Sequence, residues 1–213
     1  MNLLSPLSGW LRTLSRGIGA RASDRQLREM AAKAEKASPG TRWTIFNRLG
    51  DAYLKSGDRP RALRYFGKAI DALLEDDQPE PARAVAKKVI RLHPDAIRTL
   101  CTLTWLDLST MKTTAAIASL REYVNSAREG RRERLACGQI LEMARLSRSV
   151  EFLEEAAKAL DELGCAADGA EARNWATEGG SPHAPEETKE LYRRCLRAAI
   201  GSNIKMKTRG VVA

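Results

Sequence analysis

Two histidines, four cysteines and a few paired acids are the side chains from which this 213-residue chain could build a reactive or metal-binding site. His93 stands beside Pro94 at a helix end, and His183 lies in a Gly/Pro-rich stretch. Neither has a helical partner four residues away, the spacing that sets two side chains over one metal ion. Cys101, Cys137, Cys165 and Cys195 are scattered about thirty residues apart without a C-x-x-C pair, so zinc knuckles and a dense disulfide framework both fit poorly. The expectation is free thiols, mostly on helices, in a reducing compartment. The acidic pairs Asp76-Asp77 and Glu154-Glu155 read as solvated helix faces and caps. Gly17-Ile18-Gly19 is too short for a dinucleotide loop and no strand precedes it. There is no phosphate-cradling loop, G-x-S-x-G turn or kinase signature. The sequence therefore predicts no catalytic, metal-binding or cofactor-binding residue, and a protein that is not an enzyme.

Binding is the chemistry that remains, and charge is its first guide. The net charge is +9, but it is not spread evenly. Residues 1–23 carry Arg12, Arg16 and Arg21 and no acid, while residues 191–213 carry Arg193, Arg194, Arg197, Lys205, Lys207 and Arg209 and no acid. The lysines and arginines left between them match the 27 Asp and Glu, so the body is neutral and both ends are basic. Apolar residues at 43% and charged residues at 30% are normal for a folded chain. Aromatics at 5% beside plentiful alanine favour close-packed helices over a β-sandwich. No apolar run approaches the ~20 residues of a membrane span, and no secretory signal pattern opens the chain. Pro6, Gly9, Gly17 and Gly19 break the transit-peptide helix that the acid-free N-terminus loosely suggests. A cytoplasmic location is expected, peripheral to a membrane if the N-terminal segment binds one.

Polar punctuation cuts the chain into helical lengths. Ser23 to Gln26 has capping-box spacing and opens a helix to about Ala37, which Pro39-Gly40 ends. A second runs from about Thr41 to Ser56 and stops at Gly57; Asp58 caps a third to about Glu75. Pro79 and Pro81 open a fourth that reaches Leu92 before Pro94. Further helices fall near 95–108, 113–127, 131–146, 148–163 and 166–177. Residues 179–185, Gly-Gly-Ser-Pro-His-Ala-Pro, read as a linker. Residues 186–213 read as a last helix running into a loose basic tail. Strand-like alternation is almost absent, so the chain is expected to be all-α.

The stretch from Phe46 to Leu73 explains why such helices would stay together. Phe46, Leu49 and Tyr53 share one helix face; Ala62, Phe66, Ala69 and Leu73 share another. Gly50 and Ala62 are small where two helices must approach, and Phe66 is large where a gap must be filled. A lone helical hairpin cannot bury both faces and needs neighbours. This pattern resembles the tetratricopeptide repeat (TPR) family, with Phe46, Leu49, Gly50, Tyr53, Ala62, Phe66 and Ala69 in register. Ala82, Ala86, Val89 and Pro94 resemble a second helix of another unit. The family period of about 34 residues carries Ala82 onto Ala116, with Leu120 and Tyr123 behind it, and then onto Val150, with Leu153 and Ala157. Ala62 and Ala82 stand too close for a complete hairpin between them, so residues 59–75 would serve two units.

The resemblance covers about residues 41–163. It implies an all-α fold, a right-handed α-solenoid of about ten antiparallel helices, spanning a repeat domain at 23–178. It also implies a protein–protein adaptor or assembly subunit that binds a protein partner in a groove of first helices, with Asn47, Asp51, Leu54 and Arg98 as groove positions. The family's carboxylate clamp resembles a Lys three before the repeat glycine and an Asn just after it. Here Asn47 and Asp51 stand there, and an acid repels a carboxylate, so no chaperone-tail binding is expected of this unit. The basic amphipathic segment 1–22, with Leu7, Trp10, Leu11, Arg12, Leu14 and Arg16, has three readings. It packs on the repeat array itself, docks in a partner groove or lies in an anionic membrane surface. Nucleic acid is the weakest partner for the basic ends, because no aromatic interleaves their Lys and Arg.

Overall fold

A computed structural model describes the chain over residues 24–209 and its side chains over residues 24–200. The segment holding Leu7, Trp10, Leu11, Arg12, Leu14 and Arg16 lies outside the described residues. Within them the protein is all-α, with ten helices and no strand: α1 (Asp24–Lys36), α2 (Arg42–Lys55), α3 (Arg59–Glu75), α4 (Pro79–Leu92), α5 (Ile97–Ser109), α6 (Thr113–Glu129), α7 (Glu133–Arg145), α8 (Val150–Glu162), α9 (Ala166–Thr177) and α10 (Thr188–Arg209).

Local chemistry sets many of these limits. The Asp58 carboxylate accepts the Arg61 backbone N–H at 3.0 Å and starts α3. The Ser149 hydroxyl does the same for Phe152 at α8. Five helices end in one way: the residue past the cap takes positive φ, and the N–H after it bonds a carbonyl five residues back. These N–H···O bonds are Asp58 to Tyr53, Lys112 to Asp107, Arg132 to Ala127, Cys165 to Leu160 and Gly180 to Trp175, at 2.8–2.9 Å. Glycine supplies the left-handed residue at 57, 164 and 179, but Met111 and Arg131 adopt it without glycine's freedom. The same interval separates Gly57 from Asp77 and Met111 from Arg131, and a 17-residue helix fills each. Helix α10 departs from expectation, since it continues through the supposed loose tail to Arg209. A single Gly201 costs a helix about 1 kcal/mol and does not end it, and no proline follows.

The chain divides between Asp76 and Asp77 into two compact units. In the first, α2 packs on α3 and on α1. Phe46, Leu49, Gly50 and Tyr53 of α2 and Ala62, Phe66 and Ala69 of α3 are all buried. Each large side chain among them is worth about 1.5–3 kcal/mol of burial. Gly50 abuts the Phe66 ring: a Cβ there would lie 2.5 Å from Phe66 Cδ1 and Cε1. Arg42 to Glu75 and the Gly40 N–H to Asp76 Oδ2, both 2.6 Å, tie the outer ends.

In the second unit α5 is the hub, in contact with α4, α6, α7 and α10. All ten residues from Leu100 to Ser109 are buried, as a helix without a polar face must be. Its hydroxyls turn inward on their own helix: Thr102, Thr104 and Ser109 donate to the Arg98, Leu100 and Leu106 carbonyls at 2.8–3.0 Å. The Trp105 indole N–H donates to Gln139 Oε1 at 3.3 Å. Buried Asp107 pairs with Arg83 of α4. Burial pushes the Asp107 carboxyl above its ordinary range, against the pull of the guanidinium. Helices α6 to α9 continue by contact of each with the next or the next but one. Val150, which the 34-residue step places in register with buried Ala82 and Ala116, is 38% exposed. Ser149 caps α8 one residue earlier, which puts Val150 in the first turn and leaves burial to Phe152 and Leu153.

Cys137 and Cys165 form a disulfide between α7 and the residue capping α9, with Cα atoms 6.5 Å apart. This corrects the expectation of four free thiols and removes its argument for a reducing compartment. Cys101 and Cys195 form no disulfide and are buried. Among the described residues no helix is long and apolar enough to cross a membrane.

Candidate partner-binding surfaces

Asn47, Asp51 and Leu54 fall at i, i+4 and i+7 on α2, so they form one stripe. All three are half-buried. The Asn47 side-chain oxygen is buried without a hydrogen-bond partner, which leaves a desolvated acceptor on the stripe. Arg98 belongs to the second unit, half-buried at the start of α5.

The other faces of α2 and α3 carry a cluster that spacing in the sequence did not reveal. Tyr65 of α3 stacks on Tyr53 with ring centroids 5.4 Å apart and on Phe46 at 6.3 Å. Arg61 lies 5.6 Å from the Tyr53 ring and Lys68 lies 5.2 Å from the Phe46 ring. The same cations hold α1: Arg61 reaches Asp24 at 3.1 Å, and Lys68 pairs with Glu35. Helix α1 is thus clipped at both ends, with Leu27 and Ala34 buried between the clips. Burial first, then the neighbouring Tyr65 and Asp24, raise the Tyr53 phenol above its ordinary value. Tyr65 was missed because it sits one residue before the repeat position that Phe66 fills.

In the second unit the covering element is α10, which packs on α5. Cys195, Leu196 and Ala199 are its buried residues, and the Tyr192 hydroxyl donates to Asp77 Oδ1 at 2.6 Å. Burial and that bond push the Tyr192 phenol up to about 12. Burial alone pushes the Cys195 thiol up to about 12. A shallow recess of about 80 Å³ lies beside the first turn of α10, bordered by Met111, Leu146, Arg148, Glu186 and Leu191.

The supposed linker before α10 is fastened. The Ser181 N–H donates to the Ser147 carbonyl at 3.1 Å, Arg148 reaches the Ala184 carbonyl at 3.5 Å, and His183 sits edge-on to Trp175 at 5.6 Å. Ser181 and Ala184 are buried.

Several residues that read as solvated are tertiary contacts instead. Asp76 and Asp77 accept bonds from Gly40 and Tyr192. Glu155 accepts from both Nε and Nη2 of Arg121, which holds its carboxyl below the usual range. Helix-face reasoning holds for Glu154, which is exposed. His93 pairs with Asp95. No three His, Cys, Asp or Glu among the described residues are grouped to hold a metal ion. Comparison with protein families, with characterised proteins and with solved structures returned no match.

Proposed function

We propose that the chain is a TPR-like adaptor or assembly subunit, a right-handed α-solenoid of antiparallel helices that binds a protein partner. The observation that carries this reading is the two-sidedness of α2. One side buries Phe46, Leu49, Gly50 and Tyr53 against neighbours, as a repeat unit must. The other side holds the half-buried Asn47–Asp51–Leu54 stripe, which leaves polar and apolar side chains part-exposed to a partner. The test is affinity capture of the tagged full chain followed by mass spectrometry, in parallel with Asn47→Ala and Asp51→Lys. A partner recovered by the parent and lost from folded variants supports the stripe; equal recovery by all three refutes it.

A second reading draws on the sequence of residues 1–22, where Trp10 and three arginines accompany Leu7, Leu11 and Leu14. This segment would anchor the protein to an anionic membrane surface. Flotation of the full chain with anionic vesicles, abolished by removing residues 1–22, favours the anchor; no flotation favours the adaptor.

A further inference from the structure

Cys137 and Cys165 differ in what surrounds them, and the difference gives each a separate chemical part. Cys137 sits on the inner face of α7 with Ala136, Ile140, Met143 and Ala144 and is 3% exposed. Cys165 is only half-buried and stands at the N-cap of the 12-residue α9, where its side chain makes no capping bond. The backbone N–H groups of that first turn favour negative charge on the capping sulfur, although Asp168 in the same turn takes part of their field. Cys101 and Cys195 form no disulfide and are wholly buried, and burial has pushed the Cys195 thiol up to about 12. Cys165 is therefore the sulfur of the four that a solute reaches.

Both cysteines keep their places without the S–S bond. Cys137 lies within the regular turns of α7. The Cys165 N–H donates to the Leu160 carbonyl at 2.8 Å, and the Cys165 carbonyl accepts the Gly169 N–H at 3.0 Å. Arg173 of α9 pairs with Asp161 of α8 at 2.5 Å, and Ala172 and Trp175 are buried. Opening the bond thus leaves the two Cα atoms about where they stand, 6.5 Å apart, a separation across which a disulfide closes without backbone travel.

We propose that Cys137 and Cys165 form a reversible thiol–disulfide site, in which a hydroperoxide oxidises Cys165, the buried Cys137 resolves it, and a dithiol reductant reopens the bond. In the first step the Cys165 thiolate attacks one peroxide oxygen. An S–O bond forms, the O–O bond breaks, and the other oxygen leaves as hydroxide or alkoxide and takes up a proton; sulfur is oxidised and the peroxide reduced. The Cys137 sulfur then attacks the sulfenic sulfur of Cys165. The S–S bond forms, the S–O bond breaks, and the hydroxyl leaves as water with the Cys137 proton. In the return direction one thiolate of the dithiol attacks the accessible Cys165 sulfur and expels the Cys137 thiolate, which is protonated. The second thiol of the reductant then frees Cys165 and closes the reductant's own disulfide. Because the bond joins α7 to the start of α9 past α8, the oxidant sets whether that turn is tied covalently to α7 or held by packing alone.

The full chain tests this. Reduced with dithiothreitol under native conditions, freed of it and treated with equimolar hydrogen peroxide, it should rebuild the Cys137–Cys165 bond in peptide maps while Cys101 and Cys195 stay reduced. Circular dichroism should show the same helical content in both states. Peroxide should consume the Cys165 thiol about ten-fold or more faster than those of Cys101 and Cys195, because oxidation follows thiolate character and access. In Cys137→Ser, dimedone should trap a sulfenic acid on Cys165; in Cys165→Ser, no adduct should form on Cys137. A bond that dithiothreitol opens only in urea, or helix lost on reduction, overturns the proposal by making the disulfide a fixed part of the fold. Equal peroxide rates at Cys165, Cys101 and Cys195, or a sulfenic acid on Cys137, also overturn it. Should either serine variant fail to fold, the thiol rates in the parent chain decide.

Discussion

Replacing Gly50 by alanine sets two forces against each other, and the packing of α2 on α3 decides between them. In an exposed helix the change stabilises by about 1 kcal/mol, because alanine loses less backbone freedom on folding. At this position the new Cβ would stand 2.5 Å from Phe66 Cδ1 and Cε1 and 2.9 Å from Cζ, where carbon atoms prefer about 3.5–4 Å. Phe66 is wholly buried, with Ala62 and Ala69 on the same helix equally enclosed, so its ring has little room to retreat. Overpacking of this kind costs about 1–3 kcal/mol, and three simultaneous clashes belong at the upper end. The net expectation is a loss of about 1–2 kcal/mol in urea unfolding followed by far-ultraviolet circular dichroism. Gly138 of α7 is the internal control, since a Cβ there meets nothing within 4 Å and Gly138→Ala should stabilise by up to about 1 kcal/mol. Phe66→Leu should rescue part of the Gly50→Ala loss, giving a coupling of about 1 kcal/mol. If Gly50→Ala matched or exceeded the parent in stability, the close approach of α2 and α3 would be refuted.

Reducing the Cys137–Cys165 bond, which closes a sequence separation of 28, should lower stability by about 3.5 kcal/mol on the chain-entropy account, measured as the shift of the urea midpoint with and without dithiothreitol. Arg131→Gly should raise stability by about 0.5–1 kcal/mol, because Arg131 holds φ 51° where glycine is unstrained; an unchanged melt would argue against that turn. Arg83→Met should cost about 3 kcal/mol at pH 7 by leaving the buried Asp107 charge without its guanidinium. Burial already raises the folded-state pKa of Asp107, so its favourable contribution is complete below its unfolded value and is lost as pH rises through the folded one. Removing Arg83 raises that folded value further. The cost of the substitution should therefore shrink as pH falls from 7 towards 4, and a deficit independent of pH would refute the pairing.

Much of the fold was legible because its limits are written locally. Asp58, Pro79, Pro94, Gly130 and Gly164 act within a few residues of where they stand, and helix limits fell near them. The buried positions of α2 and α3 were legible because helical periodicity fixes which side chains share a face. Pairings between distant residues were not. Nothing in the spacing of Cys137 and Cys165 says that α7 and the start of α9 meet, and nothing near Tyr192 names Asp77 as its acceptor. Met111 and Arg131 carry no glycine signal for the left-handed turn they adopt. Of the four groove positions, the three on α2 share a stripe by periodicity alone, whereas assigning Arg98 to it needed knowledge of which helices are neighbours.

The stitching of residues 179–185 onto the α7–α8 turn has a consequence for where the chain can be cut. Composition marks Gly-Gly-Ser-Pro as the softest stretch, yet its backbone is held by Trp175 and Ser147, which denies a protease the extended strand it must grip. The first accessible bonds lie just beyond the last stitch, at exposed Glu186 and Glu187. A glutamate-directed endopeptidase should therefore sever the chain there, shedding a basic helical fragment and leaving the rest resistant.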